Sequence, residues 1–382
     1  MEDNNIHNII NKLDKYKKKD YKFKNGNILG SMCTEPLEIS KRAYIKFIET
    51  NLGDPKLFPG AQILEEKYID FLKKLLNAPN KSTAVIGSGG TESNITGMWL
   101  AKNISQKKEM IVPESAHFSF KKIETLMDMK TIPIKLNNKF QTDEKDLKKN
   151  INKNTAAVVA IAGTTETGSI DNIKEISDIC TDEHIYLHVD AAFGGYIIPF
   201  MEKLGIKVNI FDFRLKGVDS ISIDAHKMGC SVIPMGALVV KDKKILKKIS
   251  VETPYISSEK QAGILGTRPG GAVASAYAVS EYLGIEGYKE IVKKCINNTK
   301  YLKEKIEDIG LNLLTEPVTN VIPIKLKNPD KIEKKLTKEG YKVNNMRRLS
   351  SIRIVVMPHV TKKVIDKFLP VFEKVLRENH EI

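Results

Sequence analysis

The sequence has no long hydrophobic run and only four cysteines. None of its apolar segments approaches the roughly 20 residues that a membrane-spanning helix needs, and Met1-Glu2-Asp3-Asn4 does not begin the apolar core of a secretory signal peptide. No cysteine belongs to a C-x-x-C pair, which argues against a zinc ribbon or a disulfide framework and fits a reducing compartment. We therefore expect a cytoplasmic protein with no membrane segment.

Positive charge is in excess, with 61 Lys and Arg against 47 Asp and Glu, a formal net charge of +14. Such a balance can indicate nucleic-acid binding. The lysines are, however, spread along the chain among Glu, Asp and Asn, and neither a helix-turn-helix nor a cluster of basic and aromatic residues is present. This pattern predicts a solvated basic surface and no nucleic-acid partner, although the electrostatic field of the excess positive charge could attract anionic substrates or a phosphorylated cofactor.

The order of apolar segments predicts an α/β fold. Residues 1–20 and 62–76 have helical spacing of apolar residues, whereas residues 25–60 form an irregular stretch rich in Gly, Asn and Pro. Seven short apolar runs then alternate with helical segments, which is typical of a mostly parallel sheet covered by helices on both faces. These runs are residues 84–87, 110–113, 131–135, 156–162, 185–190, 219–224 and 236–240.

The alternation stops near residue 275, where a long helical region begins that extends to about Ile309. Three more strands are predicted at 321–326, 341–343 and 351–356, and Thr361 is a plausible N-cap of the last helix. This pattern predicts a small α+β C-terminal domain. We expect an N-terminal helix and extended segment at 1–55, a large α/β domain at 56–280 and the small domain at 281–382.

Three motifs lie at predicted strand ends. The first, Gly87-Ser88-Gly89-Gly90-Thr91-Glu92-Ser93-Asn94, follows a strand and opens a helix. Its glycines and free N–H groups could bind a phosphate at the helix N-terminus. It lacks the Gly-Lys-Ser/Thr ending of a Walker A loop and does not match G-x-G-x-x-G, so alone it is equally compatible with a simple tight turn.

The second and third motifs add a carboxylate and a lysine. His188-Val189-Asp190-Ala191-Ala192-Phe193-Gly194-Gly195 places Asp190 at a strand end before small residues that leave room for a flat ligand, although Asp190 could instead be a helix N-cap. In Asp224-Ala225-His226-Lys227, Lys227 ends a strand run. It could be a surface lysine, but burial would lower its pKa, which favours Schiff-base chemistry.

Together the three motifs supply what pyridoxal phosphate requires. A lysine would attach the cofactor, a carboxylate would keep its pyridine nitrogen protonated, and a glycine-rich turn would hold its phosphate.

The order S-G-G-T-E-S-N, A-H-F-S, G-T-T-E-T-G, H-V-D-A-A-F-G-G and D-A-H-K resembles the fold-type-I pyridoxal-phosphate enzymes. Within them the chain resembles the group II amino-acid decarboxylases and, most narrowly, the archaeal L-tyrosine/L-aspartate decarboxylases of methanofuran and coenzyme A biosynthesis. The resemblance implies a mostly parallel seven-stranded sheet and a small C-terminal domain. It implies α-decarboxylation of tyrosine to tyramine or of aspartate to β-alanine, which the motifs do not separate. A carbon–carbon lyase similar to sphingosine-phosphate lyase is the alternative.

The resemblance also implies roles at the cofactor. Lys227 would carry the cofactor, Asp190 would bind the pyridine nitrogen, and His117 would stack on the ring opposite Ala192. The remaining cofactor contacts would come from Ser88, Gly90, Thr91 and His226 around the phosphate and from Thr164 or Thr165 near the ring hydroxyl.

Three further residues have implied roles outside these motifs. Tyr255 would return a proton to the α-carbon from a mobile catalytic loop, and Arg353 would bind the substrate carboxylate. The loop that contains Thr267 would reach the phosphate site of the neighbouring subunit, so the resemblance implies a homodimer with shared active sites. His184 and His188 are four residues apart, but no third ligand is obvious, so we expect structural histidines and no metal site.

Overall fold

A seven-stranded sheet forms the centre of the protein in the computed structural model, which describes residues 2–254 and 260–382. Its strands are β1 (Thr83–Gly87), β2 (Glu109–Pro113), β3 (Lys130–Ile134), β4 (Thr155–Ile161), β5 (Tyr186–Asp190), β6 (Val218–Asp224) and β7 (Gly236–Val240). Their order is β1-β7-β6-β5-β4-β2-β3, and only β7 runs antiparallel to its neighbours. All seven predicted runs are therefore confirmed as strands of one mostly parallel sheet.

Helices cover both faces of this sheet. The helices are α1 (Glu2–Lys17), α2 (Glu38–Lys46), α3 (Pro59–Leu75), α4 (Gly90–Ser105), α5 (Ser119–Met127), α6 (Glu144–Asn150), α7 (Ile173–Asp182), α8 (Ile198–Lys203), α9 (Gly270–Asp308), α10 (Pro329–Lys338) and α11 (Lys362–Arg377). Strand β4 is buried along its whole length. Val158 and Ala160 pack in one core cluster with residues of α3, α7 and α9, whereas Ala157 and Val159 pack in another with residues of α4 and α5. Strands buried on both faces lack polar alternation, which explains their continuous apolar sequences.

The C-terminal part has a sheet and a core of its own. Strands β10 (Val321–Lys325), β11 (Asn344–Met346) and β12 (Ser351–Val355) form an antiparallel sheet in the order β10-β12-β11. They follow the short strands β8 (Val251–Glu252) and β9 (Lys260–Gln261), which pair with each other. The predicted strand at 341–343 is wrong. Lys342 forms an isolated bridge with Ile28, near the N-terminus, and strand β11 begins only at Asn344. Thr361 is confirmed as the N-cap of α11, since its side chain accepts a hydrogen bond from the Val364 amide.

The stretch at 25–60 contains a helix that we did not predict. Helix α2 packs against α9, and the Ser40 and Ser275 hydroxyl groups lie 2.6 Å apart between them. The contact with α9 stabilises this short helix, and the Gly and Pro residues that flank it obscure its helical pattern in the sequence. Helix α9 begins at Gly270, earlier than predicted, and is kinked at Gly284, whose φ of 53° is not helical.

The topology brings several strand ends to one edge. Because β1 is parallel to β6 through the antiparallel β7, the carboxyl ends of β1, β2, β4, β5 and β6 lie together. Asp190 is the last residue of β5 and Asp224 is the last residue of β6. Ligands of open α/β sheets bind at this edge. In the described part of the chain, no helix is both long enough and apolar enough to cross a membrane.

Gly194 fixes the loop that follows Asp190, and its replacement should destabilise the protein. A Cβ at Gly194 would lie 2.1 Å from the Ala162 carbonyl oxygen, so Gly194→Ala forces backbone to move at a cost of about 1–3 kcal/mol. Thermal unfolding should show a lower midpoint for this variant. Gly60→Ala is the matched control, since Gly60 lies in α3 and no atom of the described residues lies within 4 Å of the added methyl group. An unfolding midpoint for Gly194→Ala equal to that of the control would contradict this packing.

Candidate active site

A cavity of about 420 Å³ opens at the carboxyl edge of the large sheet. It collects most of the residues predicted to form a site. The predicted residues that line it are Ser88, Gly90, Thr91, His117, Thr165, Asp190, Ala192, His226 and Lys227. Thr164, Thr267 and Arg353 are not part of its lining, and Tyr255 lies outside the described residues.

The glycine-rich turn after β1 forms the floor of one end of this cavity. Gly89 has φ of 142°, and a Cβ there would lie 2.7 Å from the His226 ring. A Cβ at Gly90 would lie 2.9 Å from that of Ala192. Both glycines line the cavity at the N-terminus of α4, where the N–H groups and the helix dipole favour an anion. The Ser88 hydroxyl instead donates to Glu92, at 2.8 Å, and closes the turn.

The Asp190 carboxylate is almost fully buried and is held by three donors. The Asn94 amide donates to Oδ2 at 2.8 Å, while the Ala192 N–H and the Ser222 hydroxyl donate to Oδ1 at 3.1 and 3.2 Å. Hydrogen bonds to the ionised form stabilise a buried carboxylate. Asp190 also lines the cavity, so it can accept one more hydrogen bond from a ligand N–H group.

Lys227 is paired with a carboxylate that the sequence reasoning missed. Its Nζ lies 2.9 Å from Oδ2 of Asp224, the residue three positions earlier. The prediction that the pKa of Lys227 falls is wrong. Burial does lower it, but the charges of Asp224 and Asp190 outweigh burial, so the pKa is raised. The only sequence signal for Asp224 was its position at the strand end, within the same motif as Lys227.

His117 and Asn94 complete the wall around Asp190. Burial is the largest influence on the pKa of His117 and lowers it, so the ring is neutral at neutral pH. The Ser119 N–H donates to its Nδ1 at 3.2 Å, which leaves the proton on Nε2. Asn94, in the second turn of α4, was also missed, because its contact with Asp190 depends on how the helix crosses the sheet.

The structure separates the two neighbouring threonines. Thr164 is fully buried and its hydroxyl lies 2.9 Å from that of Thr167, whereas Thr165 lines the cavity. The Thr165 carbonyl oxygen accepts a hydrogen bond from the Arg353 guanidinium.

Arg353 is buried behind the cavity. Its Nη2 donates to the Gly30 carbonyl oxygen at 2.8 Å, and its Nε has no partner among the described residues. Burial lowers its pKa to about 10, against the opposing charge of Glu166, so the guanidinium remains protonated at neutral pH.

Thr267 is exposed and is separate from the cavity of its own chain. Among the residues that the structure describes, no three His, Cys, Asp or Glu side chains are grouped so as to hold a metal ion.

Comparison with known proteins shows the family to which the chain belongs. Residues 43–327 match the model of the pyridoxal-dependent decarboxylase conserved domain. The chain belongs to this family. It is 44% identical over 377 residues to the "Probable L-tyrosine/L-aspartate decarboxylase" of Methanococcus aeolicus, covering 94% of this chain and 96% of that protein. It is 43% identical over 373 residues to the "L-aspartate/L-glutamate decarboxylase" of Pyrococcus horikoshii, covering 96% of this chain and 97% of that protein.

Solved structures show the same fold. Sphingosine-1-phosphate lyase of Burkholderia pseudomallei has a TM-score of 0.90 at 22% identity, over 99% of this chain and 91% of the lyase. Glutamate decarboxylase of Lactobacillus brevis has a TM-score of 0.87 at 18% identity, over 97% of this chain and 92% of that chain. The predicted fold-type-I architecture is therefore confirmed, and so is membership among the pyridoxal-phosphate-dependent decarboxylases.

The residues of this pyridoxal-dependent decarboxylase fit its cofactor. Gly89 and Gly90 line the cavity at the N-terminus of α4, where backbone N–H groups can approach an anion, and a Cβ at either position would meet His226 or Ala192. The buried Asp190 carboxylate is an acceptor for a pyridinium N–H, and the Lys227 amine lies in the same cavity.

The Lys227–Asp224 pair should control the pH at which the lysine reacts. Asp224→Asn removes one of the two carboxylate charges that oppose burial, so the pKa of Lys227 should fall relative to the wild type and a larger fraction of the amine is neutral at a given pH. Absorbance titrations of cofactor attachment should show a midpoint at lower pH than in the wild type. Asp219→Asn is the matched control, because Asp219 lies near the other end of the same strand. An unchanged or higher midpoint in Asp224→Asn would contradict this coupling.

Proposed function

We propose that the protein decarboxylates L-tyrosine, L-aspartate or both, giving tyramine and β-alanine. The observation that carries the proposal is a single cavity lined by Lys227, Asp190, His117 and a glycine cradle, in a chain over 40% identical to proteins with those names. Tyramine would serve methanofuran biosynthesis and β-alanine would serve coenzyme A biosynthesis. We place the enzyme in the cytoplasm.

Each lining residue has a task in this proposal. Lys227 would hold the cofactor through its side-chain amine and release it to the substrate amine. Asp190 would accept the pyridinium N–H, which would keep the ring positively charged. Ala192 and the neutral His117 ring would contact the two faces of the cofactor ring. When bound, the cofactor supplies the electron sink for the pair left on the α-carbon as carbon dioxide departs.

The phosphate and the ring hydroxyl are held at the edges of the cavity. The N–H groups at Gly90 and Thr91 would bind the phosphate together with His226, and Ser88 shapes this turn through its hydrogen bond to Glu92. Thr165 is the better candidate for the ring hydroxyl than Thr164, since only Thr165 lines the cavity.

Two further residues would act on the substrate. Arg353 would bind the substrate carboxylate; in support, it remains protonated and its guanidinium is hydrogen-bonded to the carbonyl groups of Gly30 and the cavity-lining Thr165. Tyr255 returns a proton to the α-carbon after carbon dioxide leaves.

The direct test is to incubate the cofactor-loaded protein with L-tyrosine, L-aspartate and L-glutamate separately and to measure amine and carbon dioxide. We expect tyramine or β-alanine in equal amount to carbon dioxide. Lys227→Ala should abolish the product, whereas Lys293→Ala, an exposed lysine of α9, should not. An aldehyde fragment without carbon dioxide would favour the carbon–carbon lyase and overturn the proposal.

We also propose a homodimer in which Thr267 of one subunit completes the phosphate site of the other. Its support is that Thr267 is exposed and lies outside the cavity of its own chain. Lys227→Ala and Thr267→Asp, the second of which places a negative charge beside the phosphate, should each be inactive.

Random mixing of these two variants should restore about a quarter of the active sites, because half of the dimers are hybrids with one intact site. Sedimentation would verify the dimer and amine production would measure the restored sites. No restored activity in proven hybrids would contradict sharing of the sites.

A further inference from the structure

Behind Asp190 lies a row of buried polar side chains to which the proposed mechanism gives no task. Asn94 on α4, His188 on β5 and Ser220 on β6 are each 1% exposed or less. His188 and Ser220 do not line the cavity. Buried polar groups cost free energy unless they are hydrogen-bonded, so the partners of these three side chains indicate their purpose.

The direction of each hydrogen bond follows from the carboxylate. Asp190 can only accept, so the Asn94 amide nitrogen must face its Oδ2, at 2.8 Å, and this nitrogen also lies 3.0 Å from the Ser119 hydroxyl. The Asn94 amide oxygen therefore faces Nε2 of His188, at 3.0 Å. An amide oxygen can only accept, so Nε2 of His188 must carry a proton.

The other side of the imidazole is then an acceptor. Burial lowers the pKa of His188 to about 4, against the opposing charge of Asp190, so the ring is neutral at neutral pH and has a single N–H. Its Nδ1 lies 2.9 Å from the Ser220 hydroxyl, which must donate. All the hydrogen bonds of this row therefore point in one direction: Ser220 donates to His188, His188 donates to Asn94, and Asn94 donates to Asp190.

The packing around His188 leaves room for this arrangement and for little else. A Cβ at Gly97 of α4 would lie 2.8 Å from Nδ1 of His188. Glycine is unfavourable in a helix interior, and here it lets the helix approach the imidazole. The edge of the Phe120 ring closes another side, with its centroid 6.3 Å from that of His188.

We propose that His188 and Asn94 are positioning residues that orient Asp190 and hold it ionised, so that the cofactor's pyridine nitrogen stays protonated. The inference rests on the proposed role of Asp190 and holds for any amino-acid substrate. Asp190 receives three donors, and none of the groups bonded to it can take its negative charge by losing a proton at neutral pH. The remaining acceptor position serves the ring N–H.

The test measures the ring nitrogen itself. Pyridoxal phosphate labelled with ¹⁵N in the ring is bound to each variant, and the ¹⁵N chemical shift reports protonation without any turnover. His188→Phe keeps a ring but donates no hydrogen bond, so the shift should move toward that of the unprotonated ring and cofactor affinity should fall about tenfold. His188→Gln retains an N–H donor for Asn94 and should restore both readouts to within about twofold.

Controls separate this inference from the role of Asp190. Asn103→Leu changes an asparagine of the same helix whose side chain donates to the Trp99 carbonyl oxygen, away from Asp190, and it should leave the ring nitrogen protonated. In Asp190→Ala the ring nitrogen of the cofactor should lose its proton. If Asp190→Ala shows deprotonation and His188→Phe does not, the positioning role is wrong while the role of Asp190 stands. If Asp190→Ala leaves the nitrogen protonated, both are wrong.

A measurement on the wild type remains decisive if a variant fails to fold. The chain has seven histidines, and ¹⁵N-histidine labelling resolves their tautomers by NMR. His188 should be a neutral Nε2–H imidazole from about pH 5.5 to 8.5. A proton on Nδ1, or titration near an unperturbed pKa of about 6.5, would overturn the inference.

Discussion

The buried charge of Asp190 is the constraint around which the site is organised. A carboxylate removed from water must be compensated by donors or it becomes protonated. Here the compensation comes from three elements, namely the side chain of Asn94 on α4, the hydroxyl of Ser222 on β6 and the Ala192 N–H in the loop after β5. The strand order, the placement of α4 and the shape of the loop at Gly194 must all be correct for these donors to meet.

The same reasoning connects the rest of the cavity to the fold. Parallel strands bring Asp190 and Asp224 to one edge, and Asp224 holds the amine of Lys227 beside them. The glycines of the turn after β1 let that turn pack against His226 and Ala192 and bring backbone N–H groups to the same cavity. A pyridoxal-dependent decarboxylase needs an amine, an acceptor for the pyridinium and an anion cradle at fixed separations, and this sheet edge provides all three.

Much of the fold was predictable because strands buried on both faces leave continuous apolar runs. All seven strands of the large sheet and the N-cap at Thr361 followed from local sequence. Helix α2 was missed because its stability comes from contact with α9, and the strand at 341–343 was misplaced because Lys342 pairs with the distant Ile28. Contacts between segments far apart in sequence leave no local pattern.

Part of the candidate site was likewise predictable from the sequence and part was not. The motifs pointed to Asp190, Lys227 and the glycine turn, since these residues stand next to strand ends in the sequence, and the family resemblance added His117. They did not reveal Asp224 as the partner of Lys227. The predicted direction of the pKa shift of Lys227 was therefore wrong, which shows that burial alone does not decide this shift. Nor did they reveal Asn94 or choose between Thr164 and Thr165, because these depend on side-chain direction in the folded chain.

The most direct test of the central claim is to reduce the cofactor-loaded protein with borohydride and to map the pyridoxyl group by peptide mass spectrometry. The account predicts a single modified residue, Lys227, and loss of the modification when Lys227 is replaced by alanine. A pyridoxyl group on another lysine, or stoichiometric cofactor binding with no reducible linkage, would contradict it.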